Sequence, residues 1–164
     1  FDKESFETND KKGKINAIIE ILKYIPANFK VLESDNKYGV DLTILDSNDQ
    51  AYLYAEVGVR ESWKNDYFPF SDLCIAKRKG KYARLDKPTI FIVFNYTCSD
   101  YVACSSKDVN AALVREHSNR IFESGEFFYS IPLSDVKFND LTELIGVNSG
   151  ISAEVESNKK ASNI

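Results

Sequence analysis

The sequence predicts an α/β protein folded around one mixed central sheet, and three observations carry that prediction. A helical stretch near the N-terminus has its apolar residues on one stripe. Two neighbouring segments, 39–45 and 51–60, alternate apolar and polar side chains, which reads as a hairpin. The run 90–94 (Ile-Phe-Ile-Val-Phe) is apolar throughout, as expected of a central strand covered on both faces. A hairpin joined by a crossover to a buried strand makes a mixed sheet with helices packed against it.

The elements follow in order. A helix is expected over 12–24, with Ile15, Ile18, Ile19 and Leu22 on its stripe, Asn9 or Asp10 as cap and Pro26 as stop. Residues 29–32 read as a short strand. In 39–45, Val40, Leu42 and Ile44 face one way and Asp41 and Thr43 the other; Ser47, Asn48 and Asp49 then supply turn chemistry. In 51–60, Ala51, Leu53, Ala55, Val57 and Val59 form an apolar face opposite Tyr52, Tyr54, Glu56, Gly58 and Arg60. A linker over 61–70 leads to a short helix over 72–82, capped by Ser71 and weakened by Gly80. Pro88 opens the apolar strand; a strand over 101–104, a helix over 108–122, a strand over 127–131 and a short helix over 141–145 complete the pattern. One domain is expected over 1–146, and a loose polar tail over 147–164.

The totals bound the function. With 43% hydrophobic and 28% charged residues in 164, the chain has the make-up of a soluble globular domain, with core enough to fold without disulfides or structural metal. Cys74, Cys98 and Cys104 sit at no metal-ligand spacing and read as reduced thiols. A single histidine, His117, leaves little for a zinc site or a Ser-His-Asp triad and reads as a surface residue in the 108–122 helix. No apolar run reaches membrane-span length and no export signal is visible, which points to the cytoplasm and away from a membrane. The chain opens on Phe1 rather than methionine, so the question of a leader stays open. A net charge of −4 means that any nucleic-acid partner must be held by a local basic patch.

The chemistry gathers on the hairpin. Asp41 and Glu56 occupy the non-apolar faces of its two strands, at a separation that a short turn brings together. Paired carboxylates are hard oxygen ligands suited to Mg²⁺. Such an ion polarises a phosphoryl oxygen and acidifies a bound water, the two needs of phosphodiester hydrolysis. Two solvent-facing acids on an amphipathic hairpin would leave the same spacing.

This order of elements, with Gly39-Val40-Asp41 on the second strand and Tyr54-Ala55-Glu56-Val57-Gly58-Val59-Arg60 on the third, resembles the PD-(D/E)XK (restriction-endonuclease-like) nuclease superfamily over 12–104. The resemblance implies an αβββαβ core, Asp41 and Glu56 as ligands of Mg²⁺ or Mn²⁺, and cleavage of DNA or, less often, RNA. Gly58 departs from it, standing where the family usually carries Lys. Arg60, on the same strand face, is one candidate to stabilise charge, although arginine is a poor proton acceptor. Lys64, Lys77 and Lys79 are candidates for a relocated lysine. An inactive site, by natural loss or by engineering, is the third alternative.

A second feature is the run 77–84. Lys77, Arg78, Lys79, Lys81 and Arg84 place five positive charges within eight residues of an acidic chain. Lys77, Arg78, Lys79 and Lys81 are candidates to grip phosphates; the alternative is a solvated charged face. Trp63, Tyr67, Phe68 and Phe70 lie between the two features and either stack on bases or pack over the sheet end. Glu20 reads as a supporting acid or a surface charge, and Asp46 and Asp49 as turn residues. The expectation is a metal-dependent DNA nuclease, which would form a homodimer if it cuts both strands. Its rivals are a non-catalytic nucleic-acid-binding or protein-interaction module on the same fold, and an unrelated α/β domain whose acids never meet.

Overall fold

Asp2, rather than Asn9 or Asp10, opens the first helix: its carboxylate accepts the Ser5 N–H at 3.2 Å. The structure is a computed structural model and describes residues 2–117 and 126–146; the expected tail at 147–164 lies outside the described residues. Helix α1 spans Lys3–Leu22. It turns a different face to the core than its apolar pattern suggests. Ile15, Ile19 and Leu22 are exposed, while Gly13, Ala17 and Ile21 are buried. A Cβ on Gly13 would lie 3.0 Å from Val59 Cγ2 and 3.3 Å from Val57 Cγ1. The small residues bring the helix backbone onto the sheet, and that close approach outweighs the larger side chains on the neighbouring stripe.

The strands are β1 (Lys30–Glu33), β2 (Leu42–Leu45), β3 (Ala51–Val59), β4 (Asp72–Ala76), β5 (Thr89–Phe94), β6 (Tyr101–Ser105), β7 (Leu113–His117), β8 (Glu126–Pro132) and β9 (Lys137–Phe138). Helices α2 (Ser106–Ala111) and α3 (Thr142–Ile145) complete the regular structure. The expected central mixed sheet is present, in the order β1-β2-β3-β5-β6-β9. Its first three strands form an antiparallel meander; β5 lies parallel to β3, and β6 antiparallel to β5. All six residues of β5 are buried, as its apolar run requires.

Two helix expectations are corrected. Residues 72–82 fold as β4 followed by a 3₁₀ segment, Lys77–Arg84. Leu73 and Ile75 alternate with period two, and pairing with β8 buries them. Residues 108–122 do not form one helix either. The Ser105–Asp108 capping box starts α2, which ends at Ala111, and the chain enters β7, paired with β8. Residues 118–122 of that expected helix lie outside the described residues. In both stretches a tertiary strand partner overrides local helix preference. The result is a second sheet, β4-β8-β7, that the sequence did not disclose.

The central sheet carries a core on each face. On one side α1 and α3 pack through Ala17, Ile21, Leu141 and Ile145 onto Leu42, Ala55 and Ile92. On the other, Leu73, Ile75 and Ile131 of the small sheet meet Phe91, Val93 and Val102. Trp63 anchors the second core, fully buried and edge-on to Phe68 at 5.1 Å; its indole N–H has no hydrogen-bond partner among the described residues. Trp63→Ala is expected to cost about 3–5 kcal/mol in urea unfolding. Trp63→Phe should cost much less, because it also removes a buried, unsatisfied donor. None of the described helices is long and apolar enough to cross a membrane.

Candidate active site

The hairpin sets the geometry. Asp46 closes its turn, its Oδ1 accepting the N–H groups of Asn48 and Gln50 at 2.9 and 3.0 Å, while Asp49 adopts a left-handed conformation at φ 58°. Both aspartates therefore serve the turn, as their positions in the sequence predict. From this turn the register runs Ile44↔Leu53, Thr43↔Tyr54, Leu42↔Ala55, and one further step sets Asp41 opposite Glu56.

Each acid holds the other's strand. Glu56 Oε1 accepts the Asp41 N–H at 3.0 Å, and Asp41 Oδ2 accepts the Val57 N–H at 2.8 Å. Among the described residues the outward oxygens meet only ammonium groups. Lys14 Nζ of α1 stands 3.7 Å from Asp41 Oδ1, and Lys79 Nζ of the 3₁₀ segment stands 3.5 Å from Glu56 Oε2. Lys14 also pairs with Asp10 at 3.0 Å and Glu33 at 3.8 Å.

Glu56 is 5% exposed. Burial, and then the neighbouring Asp41 charge, push its carboxyl up to about 7 against the pull of Lys79 and the Asp41 N–H. Burial also raises Asp41, opposed by the Val57 N–H, Lys14 and Lys79. For Lys14, burial disfavours the charge, but the Asp10 hydrogen bond and the carboxylates of Asp10, Asp41 and Glu33 together hold its ammonium above the ordinary value. Two acids pressed together in a half-dry site favour either a shared proton or a cation.

The donor set fits a hard divalent ion. Each acid has one oxygen committed to a backbone N–H and, among the described residues, one touched only by a long ion pair. Among the described residues no three His, Cys, Asp or Glu side chains converge as a metal cage. Two carboxylates, completed by water and substrate oxygens, suit Mg²⁺, which keeps several of its waters.

Both acids line a cleft of about 1010 Å³ that runs between the N-terminal half of α1 and the 3₁₀ segment. Gly58 opens into the same cleft, and a Cβ built on it would meet nothing within 4 Å. Arg60 lines it too, but its guanidinium donates to the Cys74 carbonyl and burial lowers its pKa. Of the basic run, Arg78, Lys79 and Lys81 reach the cleft. Arg78 pairs with Glu126, while Lys77 lies outside the cleft lining, over the Phe127 ring at 5.6 Å.

Other candidates lie elsewhere. Trp63 and Phe68 are core residues, whereas Tyr67 is exposed. Lys64 sits over the Tyr96 ring at 4.0 Å, away from the cleft lining. Glu20 accepts the Tyr101 hydroxyl at 3.0 Å and does not line the cleft. His117 is on β7 rather than a helix, exposed, with its ring against Phe128 at 5.4 Å. Cys74, Cys98 and Cys104 are free thiols; burial, then Asp72, raise Cys74 to about 11, so it is a poor nucleophile. Lys14 was missed from sequence. Its only local signal was the spacing from Asp10, one helical turn away, which says nothing of Asp41.

No protein-family profile matches the chain, and no curated protein matches its sequence. Among solved structures, the chain is similar to a nuclease from a fusselovirus, at 20% identity with a TM-score of 0.50 over 85% of this chain and 89% of that one. At this identity the likeness is one of fold.

Proposed function

We propose that this chain is a metal-dependent nuclease of the PD-(D/E)XK type that hydrolyses DNA phosphodiester bonds. The observation that carries the proposal is the Asp41–Glu56 pair: two carboxylates held opposite each other by reciprocal backbone hydrogen bonds, each with one oxygen turned to a cation. The nuclease fold of the solved neighbour supports the same reading. Asp41 and Glu56 would hold Mg²⁺ or Mn²⁺, which when bound supplies Lewis acidity toward a phosphoryl oxygen and an acidified water.

The remaining tasks fall to this chain's own side chains. Lys79, beside Glu56 and reaching the cleft that Gly58 leaves open, brings a positive charge where the third family position would have brought its lysine. It offsets charge that builds on the phosphoryl group. Arg60 contributes its charge from a fixed place, anchored on the Cys74 carbonyl. Lys81 and Arg78 extend the basic wall toward neighbouring phosphates. The bare Gly58 favours a second reading, a descendant of the same fold that binds nucleic acid without cutting it.

Incubation of mixed DNA substrates with Mg²⁺ or Mn²⁺ tests the proposal. The chain is expected to cut, and Asp41→Ala to lose both cleavage and calorimetric Mn²⁺ binding. Mn²⁺ binding that survives Asp41→Ala, or cleavage indifferent to EDTA, would sink it. Binding of DNA with no cleavage in any metal would favour the second reading.

A further inference from the structure

We infer that the cleft takes a single unpaired nucleic-acid strand, with one base stacked on Tyr38 and the adjoining phosphates held by Lys37 and Lys81. The inference rests on the nuclease reading and names its substrate class.

Tyr38 is the most exposed aromatic on the cleft, at 70%, and its loop is built to present it. The Asn36 N–H donates to Ser34 Oγ at 3.2 Å, the Tyr38 N–H to Asn36 Oδ1 at 3.0 Å, and the Gly39 N–H to the Asn36 carbonyl at 2.9 Å. The loop is tied in turn to the 3₁₀ segment, where the Tyr82 hydroxyl donates to the Tyr38 carbonyl at 2.9 Å. This joins two identical dipeptides from distant parts of the chain, Lys37-Tyr38 and Lys81-Tyr82. In each the ammonium lies 5.0 Å from its neighbour's ring centre. The lip of the cleft thus brings together two cations and two rings. Such a combination suits a strand whose bases are free to stack and whose backbone needs neutralising.

The opposite wall argues against a duplex. There the N-cap of α1 and the segment just after β3 present Asp2 and Glu61, the latter held by Asn9 Nδ2 at 2.6 Å and Ser5 Oγ at 3.2 Å. Lys14, the one cation that α1 adds to the lining, is engaged by Asp10 and Asp41. A basic lip facing an acidic wall accommodates one phosphate backbone and repels a second. In a duplex, moreover, base faces are covered by their neighbours, so a ring could stack only after a base had been drawn out of the helix.

Fluorescence anisotropy in EDTA, where nothing is cut, tests this with labelled single-stranded DNA, single-stranded RNA and a blunt DNA duplex of the same sequence. At least one single strand should bind about tenfold tighter than the duplex or better. Tyr38→Ala should weaken that binding by about tenfold and leave the duplex unchanged, with Tyr38→Phe close to wild type. A preference for ribose or deoxyribose identifies which strand the cleft takes, and either supports the inference. Equal or tighter duplex binding, or a Tyr38→Ala protein that binds single strands as wild type does, overturns it. Asp41-dependent cleavage of duplex alongside that result would leave the nuclease reading intact. Loss of all nucleic-acid binding together with no Asp41-dependent Mn²⁺ binding would overturn both.

Discussion

Replacing Glu56 with glutamine is expected to lower metal-dependent cleavage by about 10³-fold or more, and at the same time to stabilise the metal-free protein at pH 8. The first effect corresponds to about 4 kcal/mol of barrier, within what loss of a metal-bound electrostatic centre removes. The second follows from the geometry. Glutamine keeps an oxygen to accept the Asp41 N–H, but it carries no charge into a buried site beside another acid. The direction with pH is fixed. A carboxyl raised from 4.5 to about 7 binds its proton more tightly in the folded than in the unfolded chain. Between those values the folded state holds more protons, so stability falls as pH rises through the window. Below it the penalty is absent; above it the penalty is complete, about 3 kcal/mol at most. Urea unfolding in EDTA at pH 5 and pH 8 should find the wild type weaker at pH 8, and the difference much reduced in Glu56→Gln. Equal wild-type stability at the two pH values would mean that Glu56 ionises like a surface acid. Mn²⁺ affinity should move the opposite way and strengthen as pH rises through about 7, because the ion requires the deprotonated carboxylate.

Lys79→Met is expected to reduce cleavage by about 100-fold while leaving Mn²⁺ binding in place, as removal of one transition-state electrostatic partner typically does. The contact with Glu56 is long, 3.5 Å, and Lys79 is partly exposed, so folding should depend little on it. Gly58 supplies the complementary test. A side chain there has open space, and a strand accepts lysine more readily than glycine. The double variant Lys79→Met, Gly58→Lys should therefore recover activity by about tenfold or more, since one charge in the cleft substitutes for the other. Unchanged cleavage in Lys79→Met would remove Lys79 from the mechanism. Activity that appears only when Gly58→Lys is introduced would identify a nuclease whose third group is missing.

The facing of Asp41 and Glu56 across a hairpin and the centre of the fold are legible in the sequence itself. Alternation in 39–45 and 51–60 assigned Asp41 and Glu56 to the same side of a hairpin, and the Asp46–Gln50 turn kept the register that sets them opposite each other. The unbroken apolar run identified β5 as central for the same local reason: strand periodicity is a property of consecutive residues. What the sequence left open was decided by partners far along the chain. The basic run became a 3₁₀ segment because β4 was drawn into pairing with β8, more than fifty residues away, and this is what delivers Lys79 to Glu56. Helix α1 turned Gly13 and Ala17 inward because shape complementarity with β3 outweighed the apolar stripe, and that rotation carries Lys14 to Asp41. Periodicity determined which residues share a face. Only packing between elements remote in sequence decided what that face meets, because contact energies depend on neighbours that no local pattern names.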